Sequence, residues 1–106
     1  MSIIVTTSVH TGWSMQFEWD EEKNKVNIQK HGIDFNDVTE IFEHPMMAYL
    51  DNRDDYGESR WVGVGMLRQH VGVIIYTERV DDVIRIISAR KANKREVKNY
   101  VNYIKN

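Results

Sequence analysis

The sequence predicts an α+β domain: a mostly antiparallel sheet with two N-terminal helices and one C-terminal helix packed on it. Three observations carry this. Several short stretches alternate apolar and polar residues, the period of half-buried strands. Three other segments open on helix-capping residues, Asp20, Asp34 and Asn93. The resulting order is strand, two helices, a meander of four strands, then a helix, which segregates helices from strands as α+β domains do. At 106 residues the chain buries one core and not two.

Each element has its own signal. Residues 1–14 contain no Lys, Arg, Asp or Glu and precede a second methionine, Met15; they are expected to be a flexible N-terminal extension, with Ile3, Val5 and Thr7 offering a short strand as the alternative. The domain proper is then 15–106. In MQFEWD, Met15, Phe17 and Trp19 alternate with Gln16 and Glu18, as in a strand. Asp20 caps a helix over 21–31, with Glu21 and Glu22 in its first turn and Lys30 and His31 in its last before Gly32. That helix has only Val26 and Ile28 as apolar residues, so it should lie partly exposed or make polar contacts. Asp34, with Asp37 three residues on, opens a second helix with the stripe Phe35, Val38, Ile41 and Phe42, stopped by Pro45.

Strands are expected at 47–51, 60–67, 71–78 and 83–89, with an acidic loop NRDDYGES after the first of them. Gly63 and Gly65 share a face with Trp61 and Leu67, which admits a bulky neighbour. In the last helix, Asn93 and Glu96 form a capping box, and Val97, Tyr100, Val101 and Ile104 repeat at helical spacing.

Composition excludes several functions. There is no cysteine, so no disulfide framework, thiolate nucleophile or cysteine-based zinc site is available, and the usage fits a reducing cytosol. No apolar run reaches the roughly 18–20 residues of a membrane span, and no signal-peptide pattern opens the chain; a cytoplasmic protein is expected. The net charge of −2 hides an asymmetry. Residues 1–58 carry twelve Asp and Glu against four Lys and Arg; residues 59–106 carry four against ten. A basic half either pairs with the acidic half or faces an anionic partner.

Positions favour the second option. If strands 71–78 and 83–89 pair through an even-numbered loop, paired residues sum to 161. Glu78 then shares a face with Arg85, Tyr76, Ile74, Val83 and Ile87, and the opposite face, Val73, Ile75, Ile84 and Ile86, takes the helices. Arg90 and Lys91 leave the far end of the same strand near the start of the last helix, where backbone N–H groups favour an anion. Arginine suits a phosphate because its planar fork donates two parallel hydrogen bonds.

Taken singly, these residues have ordinary explanations. Glu78 and Arg85 would make a cross-strand ion pair worth under about 1 kcal/mol, and Lys94, Arg95 and Lys98 a solvated helix face. The group is harder to dismiss, since five cations between residues 79 and 94 exceed what Glu78, Asp81 and Asp82 neutralise. The four histidines sit at helix ends, in the extension or in a turn, without metal-ligand spacing, so no metal and no cofactor is expected.

FEWDEEKNKVNIQKHGIDFNDVTEIFEHP, followed by YTERVDDVIRIISARKANKREVKNY, resembles the BrnT family of type II toxins, small ribonucleases of the RelE/ParE-like superfamily. The resemblance spans about residues 15–104 and rests on W-D-x-x-K-x-x-x-N-x-x-K-H-G, on T-E-R and on I-R-I-I-S-A-R. It implies a RelE-like fold and a toxin that cleaves RNA without a metal and so inhibits translation. It also implies neutralisation by a BrnA-like ribbon-helix-helix antitoxin, in a hetero-oligomer built on an antitoxin dimer that touches operator DNA only through the antitoxin. The family's charged positions fall on Glu78, Arg79, Arg85 and Arg90, with Lys94 and Arg95 opening the final helix and Lys30 and His31 in K-H-G. The chain departs from the family pattern in its first fourteen residues.

The expected mechanism is attack of a ribose 2′-OH on the adjacent phosphorus. Glu78 is the expected base, with Arg85 and Arg90 on the phosphate oxygens. Arg79, Lys91, Lys94, Arg95, Lys30 and His31 are expected to bind RNA, and the general acid stays open between His31 and an arginine. Two other readings fit the same residues: a ParE-like toxin acting by protein contact, and a non-catalytic partner of a DNA-binding protein.

Overall fold

Alternation in MQFEWD decides where its strand points. In β2 (Trp13–Asp20) Phe17 and Trp19 are fully buried, while Gln16 and Glu18 face the other way. Asp20 ends the strand and caps α1 (Glu21–His31): its Oδ1 accepts from the backbone N–H of Glu22 at 2.9 Å. Gly32, at φ 70°, closes the helix in the left-handed conformation that glycine adopts without strain, and its N–H donates to the Ile28 carbonyl. These bounds match the expected 21–31. The computed structural model describes residues 3–10, 13–52 and 57–106, with side chains from Met15 onward. His10, Trp13 and the middle of the acidic loop, residues 53–56, lie outside the described side chains.

Residues 3–10, set aside above as an extension, take the strand alternative: β1 (Ile3–His10) pairs antiparallel with β2 along its whole length. The second helix is shorter than its apolar stripe suggests. Residues Phe35–Val38 form α2, and Thr39–Glu43 tighten into a 3₁₀ turn before Pro45. Asp34 caps α2 by accepting from Asn36 N–H at 2.9 Å, but Asp37 does not complete a capping box; its carboxylate accepts from Arg68 Nη2 at 2.6 Å. Then come β3 (Met46–Leu50), β4 (Trp61–Leu67), β5 (His70–Arg79), β6 (Val83–Lys91) and α3 (Lys94–Lys105).

The strands form one six-stranded sheet in the order β1-β2-β6-β5-β4-β3. The sheet is mixed, not mostly antiparallel as expected, because β2 lies parallel to β6, with Gln16 opposite Val83 and Glu18 opposite Arg85. The meander from β3 to β6 alternates direction, and α1 with α2 carries the chain to the far edge. The last strand therefore returns beside β2 pointing the same way.

One sheet face packs on α1 and α2 through Trp19, Phe35, Ile41, Ile74, Tyr76 and Ile86. Gly65 makes room there: an added Cβ would lie 3.0 Å from Ile41 Cγ2, and at Gly63 one would lie 2.9 Å from Met46 Sδ. The bulky neighbours expected of these glycines are present. On the other face α3 covers one end only. Tyr100 packs with Val64 and Val73 and donates to the Pro45 carbonyl at 2.8 Å, while Tyr103 and Ile104 remain half-exposed. The capping box that opens α3 is formed as expected, with Glu96 N–H to Asn93 Oδ1 at 2.8 Å and Asn93 N–H to Glu96 Oε1 at 2.9 Å.

The β5–β6 hairpin departs from its expected register. Arg79 pairs with Val83, so the loop is Val80-Asp81-Asp82, an odd number, and the next pairs are Glu78 with Ile84 and Thr77 with Arg85. Asp81 and Asp82 both adopt positive φ, near 60°, a conformation that aspartate tolerates better than most residues. Val80 lies in this loop, 83% exposed. One residue of slip exchanges faces. Glu78 and Arg85 consequently lie on opposite sides of the sheet, and Ile84 and Ile86 join Ile74 and Tyr76 under α1 and α2 rather than Val73 and Ile75.

Candidate nucleic-acid interface

Arg85 and Arg90 stand five residues apart, which in a regular strand sends them to opposite faces. The register changes between Ile75 and Tyr76: Ile75 pairs with Ser88 but Tyr76 with Ile86, leaving Ile87 as an extra residue in β6. This β-bulge reverses the alternation, so Arg85, Ser88 and Arg90 all share the face of Thr77, Ile75 and Val73. That is the face α3 leaves largely open.

A second device brings the end of α1 to the same place. Because β2 pairs with β6 only over residues 83–85, the rest of that β6 flank has no strand beside it, and α1 fills the position. Asn27, 6% exposed, stitches the two together: its Oδ1 accepts from Ala89 N–H at 3.1 Å and its Nδ2 donates to the Ile33 carbonyl at 2.9 Å. Asn24 likewise accepts from Phe35 N–H at 2.8 Å and donates to Asp34. Burial raises the Asp34 carboxyl, but hydrogen bonds from Asn24 and Asn36 outweigh this and hold it below the usual carboxylate range. The polar contacts expected of α1 are these. Within W-D-x-x-K-x-x-x-N-x-x-K-H-G, the Trp, Asp, Asn and Gly therefore build the fold, while Lys30 and His31 are carried to the open face.

There, a groove of about 410 Å³ crosses the sheet from β6 to β3. Lys30, His31, Ser88 and Arg90 form one end, Val73, Ile75 and Val62 the floor, and Tyr49, Leu50, Asp51 and Asn52 the other end. Three strand spacings separate the ends, about 14 Å. The Arg90 fork is oriented by Glu96, with Nη1 to Oε1 and Nη2 to Oε2 both at 2.8 Å, and Nη1 also donates to the Lys91 carbonyl. This hydrogen-bonded guanidinium, more than the opposing effect of burial, holds the Glu96 carboxyl below its ordinary range. The Arg90 side chain is still 44% exposed.

Farther along the same face, Glu18 is the carboxylate beside Arg85. Its Oε1 lies 3.1 Å from Arg79 Nε and 3.5 Å from Arg85 Nη1, close enough to pair the charges although neither approach is aligned as a hydrogen bond. The hydroxyl of Thr77, which pairs with Arg85 across the strands, is buried without a hydrogen-bond partner.

The structure thus brings together Lys30, His31 and Arg90, with Arg85 and Arg79 on the same face. It separates the others. Glu78 is exposed on the opposite side, in a hollow with Tyr76 and Asp82. Burial, and then the Glu78 charge, push the Tyr76 hydroxyl up to about 12. Lys91 pairs with Gly72 on that same side and lines a hollow of about 130 Å³ with Leu67 and Arg68. Lys94 and Arg95 are exposed at the start of α3. No sequence motif marks Glu18, Tyr49 or Ser88 as site residues. The alternation in MQFEWD already set Glu18 opposite Trp19, but its pairing with Arg85 depends on a long-range parallel contact that leaves no local trace. Among the described residues no three His, Asp or Glu side chains converge as a metal site requires, and no helix is long and apolar enough to cross a membrane.

No functionally curated protein matches the chain. Among solved structures it is similar to the ribonuclease toxin BrnT of Brucella abortus, a crystal structure at 28% identity with a TM-score of 0.56, over 72% of this chain and 94% of that one. The family model for the ribonuclease toxin BrnT of type II toxin-antitoxin systems matches residues 19–96. That span holds α1, the whole meander, the bulge and the capping box, so both walls of the groove fall within it. The chain belongs to the BrnT family of ribonuclease toxins of type II toxin-antitoxin systems.

Proposed function

We propose that this chain is a metal-independent endoribonuclease whose substrate lies in the groove between the end of α1 and β3. The observation that carries the reading is the convergence of Lys30 and His31 from the helix with Ser88 and Arg90 from the bulged strand. A 2′-OH attack needs its proton removed, the phosphorane charge balanced and the leaving oxygen protonated. Arg90, its plane fixed by Glu96, and Lys30 bind the phosphate oxygens. His31 transfers the proton, since an imidazole can accept one on a ring nitrogen and donate one back. Arg85 and Arg79 extend the cationic track along the strand. Glu78, placed on the far side beside Asp82, is not the base for this groove. Lys91, Lys94 and Arg95 stand outside the groove, as outlying contacts to the RNA backbone.

The same reading makes the chain an inhibitor of translation in the cytoplasm, held in check by a BrnA-like ribbon-helix-helix antitoxin in a hetero-oligomer that reaches operator DNA through the antitoxin alone. Incubating the purified chain with RNA in chelator tests the catalytic part. The parent and Glu78→Gln should cut; His31→Gln and Arg90→Ala should lose activity by about 100-fold or more. Parental cutting by both of the latter would remove the groove from the mechanism, and absence of cleavage by a parent that arrests growth would favour a ParE-like toxin.

A further inference from the structure

The two ends of the groove differ in chemistry. Positive charge collects at the α1 end, whereas the β3 end offers the buried Asp51 carboxylate and an aromatic ring: Tyr49 is 47% exposed, on the open face, opposite Val62 of β4. Tyrosine has no need to be there as core, since β3 is an edge strand whose Ala48, Tyr49 and Leu50 are all exposed. Beside the ring the floor is apolar, Val62 and Ile75, and Asn52 adds an amide able to donate and accept. A ligand matching this groove is planar and apolar at one end, with hydrogen-bonding edges, and anionic at the other. A nucleotide of a single strand has that form, and base stacking on an aromatic ring tolerates any base.

We infer that Tyr49 is the stacking residue of a nucleobase subsite, with the base over Val62 and Ile75 and its edge toward Asn52, while the linked phosphate lies at Arg90 and Lys30. The inference rests on the ribonuclease reading and adds to it a specificity element on β3. Tyr49 touches the base and not the reacting atoms, so its loss weakens binding rather than the chemical step.

The test measures binding of two fluorescent single strands, both 2′-O-methylated so that they resist 2′-OH attack: one of mixed sequence, one abasic. Tyr49→Ala should weaken the base-bearing strand by about 10-fold and leave the abasic strand unchanged, while Tyr49→Phe binds both as the parent does. Arg90→Ala should weaken both strands. If Tyr49→Ala binds as the parent while Arg90→Ala is weakened, the base subsite is wrong and the RNA groove stands; if neither variant differs from the parent, the groove reading itself falls. Unchanged strand binding with a Tyr49→Ala defect confined to a protein partner would overturn the inference in favour of a protein contact.

Discussion

Arg85 and Glu18 face each other across the parallel seam between β6 and β2, Nη1 to Oε1 at 3.5 Å, and Glu18 reaches Arg79 as well at 3.1 Å. One carboxylate thus tempers two guanidinium groups on the face proposed for RNA. Glu18 is 16% exposed and both arginines retain solvent contact, so screening keeps the pairing modest. Glu18→Gln should cost under about 1 kcal/mol in stability. It should also tighten binding of a 2′-O-methylated single strand severalfold and steepen its salt dependence, because more unbalanced charge then meets the backbone. Fluorescence polarisation across a salt series checks this; weaker binding would mean that Glu18 holds the arginines in their working positions.

Asn27 supplies the acceptor for Ala89 N–H and the donor for the Ile33 carbonyl, both buried. Asn27→Ala leaves two buried backbone groups unsatisfied and should destabilise by about 2–4 kcal/mol, read as a lower urea midpoint with an unchanged slope.

Stability at acid pH should depend on Glu96. Its folded-state carboxyl is lowered by Arg90, so its contribution is present above the ordinary value of 4.5 and lost as pH falls through the folded value. Between about pH 5 and 3 the parent should lose more stability than Glu96→Gln, as thermal unfolding at stepped pH would show.

At the alkaline end the sign reverses. Tyr76 is raised to about 12 by burial and by Glu78, so the unfolded chain ionises first, and stability falls as pH rises from 10 toward 12. Tyr76→Phe should flatten that fall.

Gly63→Ala would set a methyl 2.9 Å from Met46 Sδ and 3.1 Å from Tyr76 Cε1. Overpacking of this kind costs about 1–3 kcal/mol, and shortening Met46 in the same chain should recover part of it. Urea midpoints of the single and double variants measure the coupling.

Much of the fold was legible because its signals are local. Asp20, Gly32 and the Asn93–Glu96 pair mark helix ends within a few residues of themselves, and the five strands expected after Met15 follow from alternation. What failed depends on parity or on long-range contact. The β5–β6 loop holds three residues, Val80 to Asp82, rather than an even number, and that change of parity moves Glu78 to the face away from Arg85. The Ile87 bulge lies inside I-R-I-I-S, where no Gly or Pro marks an extra residue. Of the site, Lys30, His31 and Arg90 were named from sequence and do converge. Tyr49 was read only as part of a strand, since no one-dimensional pattern says that β3 ends opposite the tip of α1.

The place of β6 between β2 and β5 has a temporal consequence. During synthesis the partners on both its sides emerge first, and neither can close the sheet without it. Non-local pairing of this sort is slow to form. Until β6 has left the ribosome, neither Arg85 nor Arg90 is there to meet Lys30 and His31, and on the proposed reading a nascent molecule would be harmless to the RNA around it. An interacting protein translated nearby would have that interval in which to be ready.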